Sequence, residues 1–148
     1  MVKLFAIKQK YSKKIFSREK LLEYRRQNIN ISKNERCFIY TSAPIKKING
    51  CFIVKEKIRL PIQELWSLTK EIGGISKKEF LKYFEGCKEG TAIIFKSIKK
   101  FIDGLPLSEI RKMIKGFRPP QSYYNLRDYK ATLLLRRFGY KIPSLVDY

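Results

Sequence analysis

The chain has no histidine. With it goes the one side chain that titrates near neutral pH unperturbed, along with Ser–His and Cys–His dyads and most zinc sites. Any catalysis falls to Lys, Glu, Tyr or Ser. Cysteine is scarce and odd in number: Cys37, Cys51 and Cys87 are widely spaced among apolar neighbours. They read as buried, reduced thiols of a cytosolic protein rather than a disulfide scaffold or a metal site. No metal and no cofactor are expected. No apolar run approaches the ~20 residues that span a bilayer, and the N-terminus lacks a signal-peptide core. The sequence therefore predicts a soluble, cytoplasmic protein without a membrane partner.

Acidic residues are the other shortage, 13 Asp and Glu against 33 Lys and Arg, for a net charge of +20. Such a field attracts polyanions and speeds their encounter, which makes nucleic acid the first partner to consider. An A/T-rich genome also favours Lys, Ile and Asn, but that bias alone does not remove acids. What is present is enough for a core: 44% of the 148 residues are apolar and 14% aromatic. A chain of this length can bury ~68–70% of its unfolded surface as one domain.

Periodicity and turn residues predict an α+β order of elements. Val2–Lys8 reads as a strand and Lys10–Phe16 as a helix, with a turn at Ser17-Arg18-Glu19. Gln27–Glu35 is polar and suits a loop. Arg36–Tyr40 and Cys51–Lys57 look like strands, linked through Ser42-Ala43-Pro44 and a turn at Asn49-Gly50. Pro61 opens a helix that Gly73-Gly74 ends, and Ser76 to Glu79 matches a capping box before Phe80–Glu85. Thr91–Ser97 is rich in β-formers, and Leu107–Lys115 reads as a short helix closed by Gly116. Phe117–Tyr124 holds two prolines and is expected to be irregular, with Asn125 capping a last helix through Arg137.

Two segments could carry chemistry. Arg18–Arg26 mixes Lys20, Glu23, Arg25 and Arg26 with Leu21, Leu22 and Tyr24. Strand alternation puts Glu23 and Arg25 on one face and Leu22 and Tyr24 on the other. Charges of both signs among apolar residues mean either a polar cleft or a salt-bridged edge of little energetic value, and spacing does not choose between them. The second segment, Phe117 to Tyr124, offers Arg118, Gln121, Ser122 and Tyr123 beside a stiff Pro119-Pro120 turn. Amides pair with base edges and tyrosines stack on base faces, as in readers of single-stranded RNA. The same tyrosines would equally well pack on a core. Lysine and arginine clusters at Lys8 to Lys14, Lys46-Lys47, Lys96 to Lys100 and Arg136-Arg137 would supply phosphate contacts if they shared a side.

Taken together, these segments resemble the ASCH family of PUA-like domains, whose hallmark resembles G-x-K-x-x-E-x-R. Lys20, Glu23 and Arg25 fall on its charged positions, and Arg18 stands where the family has glycine. Phe5 to Tyr11, Lys14 to Phe16, Ile39 to Pro44, Gly50, Tyr83 to Gly86 and Pro119 to Tyr123 resemble further landmarks in order, the last two those of an archaeal and bacterial subgroup. The resemblance runs over residues 2–125, and 126–148 is read as a helical extension packed on the same domain. It implies a PUA-like mixed β-barrel with peripheral helices and a cleft beside the K-x-x-E-x-R segment. It also implies RNA-linked roles: binding in some members, and ribonuclease or acetylcytidine hydrolase activity in others.

The resulting expectation is an RNA-binding domain, for single-stranded or structured RNA, with Lys20, Glu23, Arg25, Arg26, Arg118, Gln121, Ser122 and Tyr123 as contacts. The alternative is a nucleic-acid hydrolase using Lys20 and Glu23. Its acetylcytidine branch resembles K-x-x-T with a distant Glu, for which Glu71 is the counterpart, whereas position 23 here is Glu. A third reading, with DNA as partner, is a transcriptional regulator that places the helix carrying Arg127, Arg136 and Arg137 in a major groove.

Overall fold

The computed structural model describes residues 2–142. The order is β1 (Val2–Ile7), α1 (Gln9–Phe16), β2 (Leu22–Arg25), β3 (Arg36–Thr41), β4 (Lys47–Pro61), α2 (Ile62–Thr69), α3 (Lys77–Tyr83), β5 (Glu89–Pro106), α4 (Leu107–Met113), β6 (Tyr123–Leu126) and α5 (Asp128–Arg137). The strands form one six-stranded sheet in the order β2-β5-β4-β3-β1-β6. Among the described residues only β1 and β3 run parallel, and the other pairs are antiparallel. The fold is α+β.

Alternation on β1 shows how the sheet serves two layers. Leu4 faces a cluster with Phe38, Ile110, Leu126, Leu134 and Leu135, while Phe5 and Ile7 face another with Ile15, Ile29, Ile31 and Ile93. A third cluster joins Leu22 and Tyr24 of β2 to Leu65, Phe80 and Phe84 under α2 and α3. Ser76 caps α3 as its sequence predicts, accepting the Glu79 N–H at 3.1 Å.

Several local expectations give way to tertiary pairing. Asn49-Gly50 is no turn: it lies inside β4, at a register irregularity opposite β5. A Cβ on Gly50 would strike the Phe16 ring and come within 2.7 Å of the Lys99 carbonyl oxygen, so glycine is here for close approach. The β4 and β5 strands run to 15 and 18 residues, well past the apolar cores that mark them, because each satisfies the other's backbone even where side chains are charged. Tyr123, Tyr124 and Asn125 are not irregular or capping residues. They pair with β1, and α5 begins at Asp128 with no side-chain cap from Arg127. The pair Gly73-Gly74 lies past the end of α2, in a loop under the motif segment.

Candidate functional site

One side chain joins the edge strand β2 to β1 and to the residue just before β6. Arg25, at the end of β2, donates to the Ser122 hydroxyl at 2.9 Å and to the Ala6 carbonyl at 3.0 Å, and it meets the Glu23 carboxylate at 3.3 Å. Its guanidinium lies 5.2 Å from the centre of the Phe5 ring. The Arg25 and Glu23 side chains are only 12% and 7% exposed, so this pair is a buried bridge and not a surface ornament.

Lys20 precedes β2 and is 2% exposed. Its ammonium donates to the Gly73 carbonyl at 3.0 Å and lies 5.3 Å and 4.9 Å from the ring centres of Tyr11 and Tyr24. The loop before α3 is shaped for this. Gly74 has φ of +70° and sits so near that a Cβ would come within 2.7 Å of the Lys20 Cβ. The neighbouring Lys14 donates to the Gly74 carbonyl at 2.9 Å. Upstream, Arg18 takes φ of +69°, a left-handed conformation that explains why glycine suits that position of the hallmark. Its guanidinium donates to the Ile98 carbonyl at 3.1 Å.

A cavity of about 320 Å³ opens here, lined by Ala6, Ile7, Lys8, Tyr11, Lys20, Glu23, Tyr24, Arg25, Ser42, Ile75, Tyr83, Pro120 and Gln121. Burial pushes the Lys20 amine below its ordinary pKa; Glu23 opposes the shift, while Lys14 and Arg25 add to it. Burial raises both Tyr24 and Tyr83, so the aromatic walls stay neutral. Tyr24 donates to Thr69 at 2.7 Å, since the Thr69 hydroxyl is itself committed to the Leu65 carbonyl at 2.6 Å. Tyr83 donates to the Tyr24 carbonyl at 3.1 Å and so braces the motif strand.

Of the residues singled out from sequence, Lys20, Glu23, Arg25 and Gln121 come together in this cavity, and Ser122 touches it through Arg25. Arg26 does not: it turns to the Tyr83 and Glu85 carbonyls, by a separate hollow with Arg59 and Glu89. Arg118 is exposed and meets Tyr124 only through its own carbonyl oxygen. Tyr123 stacks on Phe5 at 5.3 Å and faces a second cavity. Glu71 is exposed and lines neither. Tyr11, Tyr83, Ser42 and Ile75 escape sequence reasoning as site residues. Their signal is faint: two are tyrosines within resembled landmarks, and no spacing links them to Lys20.

Among the described residues, a mixed six-stranded sheet with five helices and a recess beside its edge strand defines an α+β domain. No family model matches the chain. An ASCH domain-containing ribonuclease of Zymomonas mobilis is 27% identical over 125 residues, 84% of either protein. The crystal structure of ASCH from Zymomonas mobilis superposes with a TM-score of 0.85 at 24% identity, covering 91% of this chain and 94% of that one. The N-terminal domain of Staphylothermus marinus McrB shares the fold more loosely, with a TM-score of 0.64 at 10% identity over 92% of this chain and 93% of its own. The large ribosomal subunit protein uL22 of Ureaplasma parvum is 33% identical over 86 residues, which are 58% of this chain and 27% of that protein. Over most of its length the chain is similar to ASCH domain proteins.

Proposed function

We propose that this protein binds RNA by taking an unpaired nucleotide into the Lys20 cavity. The observation that carries the reading is the ammonium of Lys20, 2% exposed and aimed among tyrosine rings, with the Gly73 carbonyl as its one protein acceptor among the described residues. An ammonium has three donors, so two remain for an anionic or carbonyl ligand. The cavity volume, about 320 Å³, lies at the small end of ligand sites. Tyr11, Tyr24 and Tyr83 present aromatic surface to a base, Gln121 presents an amide to its edge, and Lys8 waits at the wall for phosphate. Glu23 and Arg25 hold the floor. The excess of positive charge favours the approach of any polyanion.

The test is fluorescence anisotropy with a labelled single-stranded RNA octamer of random sequence at low salt. Lys20→Met keeps the stem of the side chain and removes the ammonium. The expected result is wild-type binding that weakens about tenfold or more, the loss of a charge-assisted contact. No wild-type binding, or unchanged binding in Lys20→Met, would overturn the reading.

One observation favours a second reading, ribonuclease activity: the amine of Lys20 is shifted toward the neutral base, and the Zymomonas relative carries that activity in its name. A neutral Lys20 would take the proton of a ribose 2′-hydroxyl. The 2′-oxygen would then attack the adjacent phosphorus and expel the 5′-oxygen, which picks up a proton, leaving a 2′,3′-cyclic phosphate. The sign of its pH dependence is set: activity is low where Lys20 is protonated and rises with pH through the lowered pKa. Gel analysis of the octamer from pH 6 to 9 decides it. Product that is absent, or present equally in Lys20→Met, sinks catalysis by Lys20 and leaves the binding reading standing.

A further inference from the structure

The widest bulge of β5 lies near its end. Gly50 pairs with Lys100 and Ile48 with Leu105, so Phe101 to Gly104 stand opposite Asn49 alone. The bulge is anchored at both ends: Phe101 stacks on Phe138 at 4.0 Å, and both Phe101 and Leu105 are buried. At its tip stands Ile102, 100% exposed. Apolar residues scattered singly over a surface need no explanation. This one is a rigidly held projection set among cations. Lys46, Lys47, Lys99 and Lys100, on the strands that flank the bulge, are all exposed, with Asp103 as the acid of the bulge itself. The Lys47 stem runs beside it, since a Cβ on Gly104 would lie 3.4 Å from the Lys47 Cδ.

At the foot of the bulge a groove of about 450 Å³ is lined by Gln9, Lys13, Phe16, Ile45, Asn49 and Lys100 among others. The Thr41 hydroxyl donates to the Asn49 amide oxygen at 2.7 Å, which leaves the Asn49 NH2 to the groove. The Lys100 ammonium lies 5.9 Å from the centre of the Phe16 ring. This groove and the Lys20 cavity are neighbours across α1. Lys8 and Tyr11 line the cavity, and Gln9 and Lys13 the groove. Ser42 lines the cavity and Ile45 the groove, with Ala43 and Pro44 exposed between them. A helix is ~10–12 Å across, a distance that a few nucleotides of strand cover.

We infer that this groove and the Ile102 tip form a docking face for an RNA duplex, so that the ligand is a structured RNA whose unpaired nucleotide enters the Lys20 cavity while its flanking stem lies on this face. This rests on the RNA reading of the Lys20 cavity and extends it. Duplex RNA is recognised by shape, through phosphates and through the 2′-hydroxyls of its wide, shallow minor groove. Lys13, Lys47 and Lys100 suit the phosphates, and the Gln9 and Asn49 amides suit the hydroxyls. Ile102 supplies the apolar wedge that groove-binding proteins set against base edges. A lipid surface asks for more: one isoleucine is far short of an acyl chain, and a single acyl chain anchors only marginally.

Anisotropy is measured with three kinds of labelled RNA: the single-stranded octamer, a blunt hairpin stem of about ten base pairs, and that stem carrying the octamer as a 5′ or a 3′ overhang. One of the overhang RNAs should bind wild type about tenfold or more tighter than the octamer. Ile102→Ser and the double variant Lys13→Gln/Lys100→Gln should each remove most of that gain and leave the octamer unchanged, while Lys20→Met weakens octamer and overhang RNA alike. The salt slope should be steeper for the overhang RNA by about 2, at ~0.9 per duplex phosphate, and the double variant should abolish the difference. The substituted side chains are exposed, so melting curves should match wild type. If wild type binds none of these RNAs, the RNA reading and this inference fall together. If Lys20→Met weakens the octamer but the stem adds no affinity, or adds affinity that Ile102→Ser and the double variant leave intact, only this inference falls. Flotation with phosphatidylserine vesicles that Ile102→Ser abolishes, with overhang binding unchanged, would assign the face to a lipid surface and overturn it too.

Discussion

Arg25 does the work of several residues. It holds Glu23, the Ala6 carbonyl and the Ser122 hydroxyl at once, and so ties the edge strand β2 to β1 and to the segment leading into β6. Removing it leaves the Glu23 carboxylate buried without its partner and the Ala6 carbonyl without a donor. Losing one member of a buried pair costs roughly 3–5 kcal/mol. Partial exposure puts Arg25→Ala at the low end, about 3 kcal/mol, or a fall of about 6–12 °C in Tm at ~2–4 °C per kcal/mol. Calorimetry checks this; a change under about 1 kcal/mol would mean the bridge is ornamental. Lys20 behaves in the opposite sense. Its ammonium is disfavoured by burial, so between the lowered folded pKa and the ordinary unfolded one the unfolded chain holds more protons, and stability rises with pH across that window. Lys20→Met should therefore melt at or above wild type at pH 7 while losing RNA, and a lower melting point would show that Lys20 is structural.

Among the elements, the approach of α1 to β4 depends on one missing side chain. Gly50 admits the Phe16 ring against the backbone at the irregular register of β4. Gly50→Ala forces either the ring or the strand to move, and overpacking of this kind costs about 1–3 kcal/mol. Because α1 carries Tyr11 and Lys14 toward Lys20, RNA affinity should fall along with stability. Parallel urea melts and anisotropy on Gly50→Ala would show both losses. Stability lost with affinity intact would mean that α1 is not needed to position the site.

Over the whole molecule, a charge of +20 invites the view that binding is bulk electrostatics. The geometry argues for something narrower. Lys46-Lys47, Lys96 and Arg136-Arg137 line neither cavity, whereas Lys8, Lys20 and Arg25 line one and Lys33 and Arg127 the other. One to three phosphate contacts from the cations of the Lys20 cavity, at ~0.7 per contact, predict a slope of log K against log salt of about −1 to −2. Titration of the octamer between 50 and 300 mM salt measures it. A much steeper slope would point to diffuse binding across the surface, and a flat one would exclude phosphate contacts.

Some of this was determined by the sequence alone, wherever chemistry is local. The absence of histidine, the surplus of cations, the Ser76 cap and the charged trio Lys20, Glu23 and Arg25 are properties of short stretches. So are the α+β order of elements and the resemblance that the hallmark spacing carries. The tertiary structure decided what depends on partners distant in the chain. Lys20 meets Gly73 across 53 residues and Arg25 meets Ser122 across 97, so whether K-x-x-E-x-R lined a cavity or a salt-bridged edge was settled only when those partners arrived. The same holds for Asn49-Gly50, which propensity makes a turn and pairing with β5 makes a strand, and for Asn125, which reads as a cap and becomes an orphaned amide beside Lys3. Burial and backbone pairing are non-local quantities, and they turned a run of charges into the lining of a cavity.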